Sequence, residues 1–194
     1  MKSNITGLIL AGGSARRMGY IDKGLVKVKG KYLICHILEK LKPQVETVII
    51  NANRNIDIYK SINSKVVEDL TSQRLGPLAG IQSGLMHCKT ELILVLPCDV
   101  PNIPSNICLK LYEKLVKEKA ECAMPVTIDK NNKNRTHPAI LLLKVNLLES
   151  LNLFINSGGR KIDMWTDKHK TTNVFFKDEY NFLNINRLED IDRI

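Results

Sequence analysis

Apolar and polar positions alternate along the chain between two periods, short β-branched runs and helix-spaced ones. Ile5, Leu8, Ile9 and Leu10 form a run that predicts a buried strand, and it stops at Gly12-Gly13. From Lys31, the positions Leu33, Ile34, Ile37, Leu38 and Leu41 recur at helical spacing until Pro43, and Val45 to Ile50 predicts a second strand. Strand, helix, strand in that order implies a right-handed parallel crossover. Gly24 to Val28 is too short for more than an extended link. A short helix is expected near Ile56 to Tyr59, and a third strand over Lys65 to Val67. The loop Gly76-Pro77-Leu78-Ala79-Gly80 feeds a helix through Ile81, Leu85 and Met86. Glu91 to Leu96 is the most strand-like run; being apolar after its first residue, it should be central and covered on both faces. A helix follows from near Pro104 through Ile107, Leu111 and Leu115.

The last third is less regular. Glu121 to Ile128 and Pro138 to Leu143 read as strands flanking a polar, mobile loop over Asp129 to Arg135, and a helix runs from Asn146 to about Phe154. Trp165 is expected to pack in the interior. Asn173 to Phe176 and Asn181 to Asn184 suggest further short strands before a closing helix. With no internal repeat, linker or boundary, residues 1–194 are read as a single three-layer α/β domain with a mostly parallel, mixed, Rossmann-like central sheet.

Composition narrows the classes. At 194 residues the chain is long enough to bury roughly 70% of the surface its unfolded form exposes. No apolar run approaches the length of about 20 that crosses a bilayer, and the N-terminus lacks a cleavage-site pattern, so no membrane partner and a cytoplasmic location are the default expectation. Cys35, Cys88, Cys98, Cys108 and Cys122 are scattered, without a C-x-x-C pair, and indicate neither disulfides nor zinc. His36, His87, His137 and His169 show no ligand spacing. The net charge of +9 admits nucleic acid, small anionic substrates, or drift in a Lys-, Asn- and Ile-rich chain; aromatics at 5% and dispersed cations count against a nucleic-acid partner.

The glycine turn carries the clearest chemistry. Arg16, Arg17 and Lys23 follow it closely, so backbone amides, a guanidinium fork and a mobile ammonium gather where the chain leaves the sheet, which suits a polyphosphate; an ordinary glycine-bearing strand-to-helix turn with solvated arginines is the plainer reading of the same residues. It is not a Walker loop, for no Gly-Lys-Ser/Thr closes it, and its adjacent glycines exclude G-x-G-x-x-G. Asp99, between Pro97 and Pro101 at the carboxyl end of the apolar strand, suits Mg²⁺ held against phosphate oxygens; the plainer reading is a turn acid, expected to stand unpaired. Asn51 and Asn53 end the second strand, at the edge where open sheets bind ligands, and fit a turn cap equally. Ser157 to Lys161 reads equally as a second anion site or a solvated loop.

These elements together resemble a known family. Leu10-Ala11-Gly12-Gly13, Arg17-Met18-Gly19, Asp22-Lys23, Asn51-Ala52-Asn53-Arg54, Glu68-Asp69, Gly76 to Gly80, Pro97-Cys98-Asp99-Val100-Pro101, Thr136-His137-Pro138, Gly158-Gly159-Arg160 and Asn184-Ile185-Asn186 occur in the order seen in the molybdenum cofactor guanylyltransferases, nucleotidyltransferases of the nucleotide-diphosphosugar-transferase fold. The resemblance implies transfer of GMP from GTP to the phosphate of molybdopterin or its molybdenum form, with release of pyrophosphate. It implies that amides of Leu10, Ala11 and Gly12, with Arg17 and Lys23, hold the triphosphate, that Asn51 and Asp69 bind nucleotide, and that Asp99 holds Mg²⁺. Lys23, Asp99 and Arg17 are then the catalytic set, and transient contact with molybdoenzyme-maturation proteins is expected. A cytidylyltransferase acting on the same pterin is the near alternative, but its loop resembles Leu-Ala-Ala-Gly; a non-catalytic nucleotide-binding adaptor is the other. The chain departs from the family at Gly30-Lys31-Tyr32, with tyrosine where proline is usual.

Overall fold

The computed structural model describes residues 4–13, 22–71, 75–185 and 190. An eight-stranded sheet forms its middle. The strands are β1 (Ile5–Leu10), β4 (Thr47–Asn51), β5 (Val66–Val67), β6 (Leu92–Pro97), β7 (Cys122–Ile128), β8 (Asn134–Thr136), β9 (Leu141–Lys144) and β10 (Thr171–Phe175); β2 (Lys27–Val28) and β3 (Lys31–Tyr32) form a separate hairpin. The order across the sheet is β10-β7-β9-β6-β1-β4-β5, with β8 on β7. β9 runs antiparallel to both β6 and β7, whereas β1, β4, β5 and β6 are mutually parallel and β10 is parallel to β7. The expected mixed, mostly parallel sheet is therefore present.

Three layers follow from the alternation of side chains along strands that carry apolar residues on both faces. Leu92, Leu94 and Leu96 of β6, with Ile5 and Ile9 of β1, face α1 (Leu33–Leu41) and α4 (Ile107–Lys117). Ile93, Val95 and Leu8 face the other way, onto α3 (Pro77–His87), α5 (Leu148–Asn156) and α6 (Ile162–Thr166). Trp165 is fully buried in that second core. A Cβ added at Gly84 would overlap Leu8, so α3 lies close on β1; glycine there serves packing.

Three local expectations are corrected, and one element was not expected. The supposed link from Gly24 to Val28 holds a 3₁₀ turn (Lys23–Leu25) and the first strand of the hairpin, whose two loop residues, Lys29 and Gly30, both take the positive φ (48° and 80°) that a primed turn requires. Lysine is an uncommon choice there, which hid the signal. The polar loop expected over Asp129 to Arg135 ends early: Asp129 Oδ1 accepts the amides of Asn131 and Lys133 (2.8 and 2.9 Å), and Asn134–Thr136 pairs with β7 as a strand. All three residues of β8 are exposed, so no apolar alternation marked it. The strand expected over Asn181 to Asn184 is a 3₁₀ turn, Glu179–Phe182, started by Asp178 accepting the Tyr180 amide. α6, five residues long, was not foreseen. The closing helix lies outside the described residues.

Candidate active site

Register brings distant motifs together. Leu10 pairs with Asn51 of β4 on one side and with Pro97 of β6 on the other, so the glycine loop, Asn51-Ala52-Asn53 and Cys98-Asp99 all leave the sheet at one carboxyl edge. The Ala11 amide donates to the Asn51 carbonyl (2.8 Å), and the Leu10 carbonyl accepts from Cys98 (3.1 Å). Leu10 and Ala11 thus still belong to the sheet, and Ala11 uses its N–H there rather than toward a phosphate; the loop leaves the sheet at Gly12. Above this edge opens a cleft of about 770 Å³, walled by Leu10 to Gly13, Asn51, Asn53, Asp69, Gly76, Pro77, Lys23 and Asp99 and reached by Ala139.

Asp99 marks one end. Lys23 Nζ lies 2.9 Å from its Oδ2, and Asn184 Nδ2 donates to Oδ1 at 3.3 Å. The carboxylate expected to stand unpaired is therefore ion-paired, by a lysine 76 residues away. Both side chains are mostly covered (22% and 13% exposed), so the attraction is less screened than at an open surface. Neighbouring Cys98 is no nucleophile: burial, with the Asp99 charge beside it, holds its thiol protonated well above the ordinary range. Among the described residues no group of three or more His, Cys, Asp or Glu side chains is placed to hold a metal. A single carboxylate beside a lysine and a glycine turn nonetheless fits Mg²⁺, which binds through one or two carboxylates and takes its other ligands from water and substrate.

Asp69 marks the other end, held in a different way. Asn51 Nδ2 donates to Oδ1 (2.9 Å), Asn53 Nδ2 donates to Oδ2 (2.8 Å), and the Asp69 amide donates back to Asn53 Oδ1 (2.8 Å). Both asparagines clasp Asp69, and the residue at the N-cap position of α2 (Ile56–Ile62) is Asn55. A Cβ on Gly12 would stand 2.8 Å from Asn53 Nδ2 and 3.2 Å from Asn51 Oδ1, so the loop glycine makes room for the clasp. Arg54 Nη2 donates to the Gly13 carbonyl (3.1 Å) and ties the end of β4 to the glycine loop.

The remaining motifs divide. Arg16, Arg17 and Asn186 lie outside the described residues. His137 is structural: its ring stacks on Phe182 (centroids 4.7 Å apart), Nε2 pairs with Thr127 Oγ1 (2.9 Å), and burial with nearby Arg135 pushes its pKa down to about 4. Arg160 donates to the carbonyls of Ile155 (3.1 Å) and Gly159 (2.7 Å), closing the end of α5, and does not line the cleft.

Comparison with known proteins agrees with this geometry. The model of the MobA-like NTP transferase domain matches residues 7–172. A molybdenum cofactor guanylyltransferase of Ralstonia pickettii is 41% identical over 99% of this chain and 96% of its own length, and one of Bordetella pertussis is 40% identical over 100% and 98%. Among solved structures, a molybdopterin-guanine dinucleotide biosynthesis protein A from Archaeoglobus fulgidus superposes with a TM-score of 0.77 at 24% identity, covering 97% of this chain and 95% of its own. A 4-diphosphocytidyl-2C-methyl-D-erythritolsynthase from Anaerococcus prevotii does so with 0.78 at 18% identity, covering 98% and 94%. Those two likenesses show the fold.

Proposed function

Because the chain belongs to the MobA-like NTP transferase family, we propose that it transfers GMP from GTP to the phosphate of molybdopterin, forming the guanine dinucleotide cofactor and releasing pyrophosphate. The observation that carries the reading is the pair of differently held carboxylates at the two ends of one cleft.

The Asp99 end takes the triphosphate. Lys23 would turn its ammonium from Asp99 to the phosphates, whose charge it neutralises, and Asp99, so released, would hold Mg²⁺. The ion, when bound, offsets charge developing on the α-phosphate and the leaving pyrophosphate. Gly12 and Gly13 line this end of the cleft. The Asp69 end takes the guanosine. Each oxygen of that carboxylate keeps a lone pair beyond its asparagine bond and accepts an N–H or O–H donor of the nucleoside. The acceptor phosphate is already anionic at neutral pH, so the reaction needs no general base, and positioning with charge neutralisation suffices.

A panel of nucleoside triphosphates offered with Mg²⁺ and molybdopterin, read by pyrophosphate release, tests the assignment. GTP should exceed CTP by at least about tenfold in kcat/KM, which one or two hydrogen bonds to the base supply. Equal rates would remove the guanylyl assignment and leave the transferase class standing.

A further inference from the structure

Lys23 sits on the 3₁₀ turn Lys23–Leu25, and a buried polar cluster that lines no part of the cleft fastens that turn from behind. The Asp22 carbonyl accepts the Leu25 amide (3.0 Å) and closes the turn. The Asp22 carboxylate accepts the Tyr59 hydroxyl at Oδ1 and Asn55 Nδ2 at Oδ2 (3.0 Å). Tyr59 is fully buried and Asp22 is 9% exposed. A Cβ on Gly24 would stand 2.5 Å from the Tyr59 oxygen, so the phenol lies directly against the turn. Burial and the Asp22 charge hold that phenol protonated well above its ordinary value, which keeps it a donor. Helix α2 is thereby joined through one carboxylate to the backbone that carries the lysine.

We propose that Tyr59, acting through Asp22, is a positioning residue for Lys23; the inference rests on Lys23 being the phosphate-binding cation. A lysine reaches its partner on a flexible four-carbon stem, so its affinity for phosphate depends on how firmly the root of that stem is held. A buried carboxylate requires its donors, and when one is removed the carboxylate shifts toward water and takes the turn with it. The competing role for Tyr59 is plain core packing with a satisfied hydroxyl.

Calorimetric titration of GTP in the presence of Mg²⁺ into the wild type, Tyr59→Phe, Lys23→Met and the double variant separates the two. Lys23→Met should weaken GTP binding by about tenfold or more, since it removes a charge-assisted contact. Tyr59→Phe should weaken it by roughly three- to tenfold, yet cost less than about twofold further in the Lys23→Met background, because both changes act through one ammonium. Guanosine, which has no phosphate, should bind equally to the wild type and Tyr59→Phe. A fall in melting temperature is expected from either role of Tyr59 and does not discriminate. Wild-type GTP affinity in Tyr59→Phe, or an equal loss in both backgrounds, overturns the inference. Wild-type affinity in Lys23→Met overturns it together with the phosphate role of the lysine. Should Tyr59→Phe fail to fold, Asn55→Gly serves: it lies at the exposed N-cap position, keeps the left-handed backbone (φ 51°) and removes the other donor to Asp22. A smaller loss that vanishes in the Lys23→Met background is then the supporting result, and an additive loss or none the opposing one.

Discussion

Asp99 and Asp69 face the same cleft from the ends of parallel strands, yet one is neutralised by an ammonium at 2.9 Å and the other is gripped by two neutral amides and its own N–H partner. An ion pair can be exchanged for another ion pair. Under the proposed function, a triphosphate would give Lys23 a second anion to serve and leave Asp99 with a charge that suits a metal. Amides, by contrast, fix a carboxylate without cancelling it, so Asp69 keeps both its place and its negative charge for the donors of a nucleoside. On the proposed function, the difference puts chemistry at one end and discrimination at the other.

The sharpest way to break that division is Asp99→Asn, which keeps shape and one acceptor oxygen but removes the charge. Turnover should fall on the order of a thousandfold, about 4 kcal/mol of transition-state stabilisation. Because the carboxylate is paired with Lys23, folding should also weaken by about 1 kcal/mol, read from a melting curve, where an unpaired acid would have gained stability. Activity across a Mg²⁺ titration decides: near wild-type turnover at low Mg²⁺ would assign the metal elsewhere.

Asp69→Asn sharpens the other half. It should lower kcat/KM for GTP by about tenfold, about 1.4 kcal/mol, and narrow the preference for GTP over CTP while the Mg²⁺ dependence stays as in the wild type. A changed Mg²⁺ dependence with unchanged base preference would exchange the roles of the two ends.

Much of this was legible before the fold was known, and unevenly so. β6 announced itself because both of its faces are covered and every position had to be apolar; Asp99 followed from where such a strand must end. Lys23 and the glycine turn were readable as local chemistry. What stayed hidden depends on contacts between distant residues: the pairing of Lys23 with Asp99 spans 76 positions, Tyr59 with Asp22 spans 37, and the Asn53 clasp on Asp69 spans 16. Asn53 carried one signal that was overlooked. A second asparagine one turn residue after Asn51 is superfluous for a cap when Asn55 follows at the helix start, and a residue superfluous for one role is a candidate for another. β8 was illegible for the opposite reason, since an exposed three-residue strand buries nothing and leaves no pattern.

The smallest expected effect lies outside both ends and tests whether acid acts on the cleft or on the scaffold. His137, stacked on Phe182 and bonded to Thr127, is held neutral by burial, its pKa pushed from 6.5 down to about 4. Below about pH 6.5 the unfolded chain's histidine takes a proton that the folded ring refuses, so the unfolded state binds more protons and stability falls with pH until about 4, where the folded ring is protonated too. A fully dry site with that difference would lose roughly 3 kcal/mol; a half-buried ring, partly reached by water, should lose about 1 kcal/mol. Denaturant melts at pH 7 and pH 4 should therefore show the wild type losing more stability than His137→Gln, with GTP affinity at pH 7 alike in the two. Parallel stability curves would mean that the ring is wetter than its packing indicates, and a parallel shift in GTP affinity would place His137 in the site.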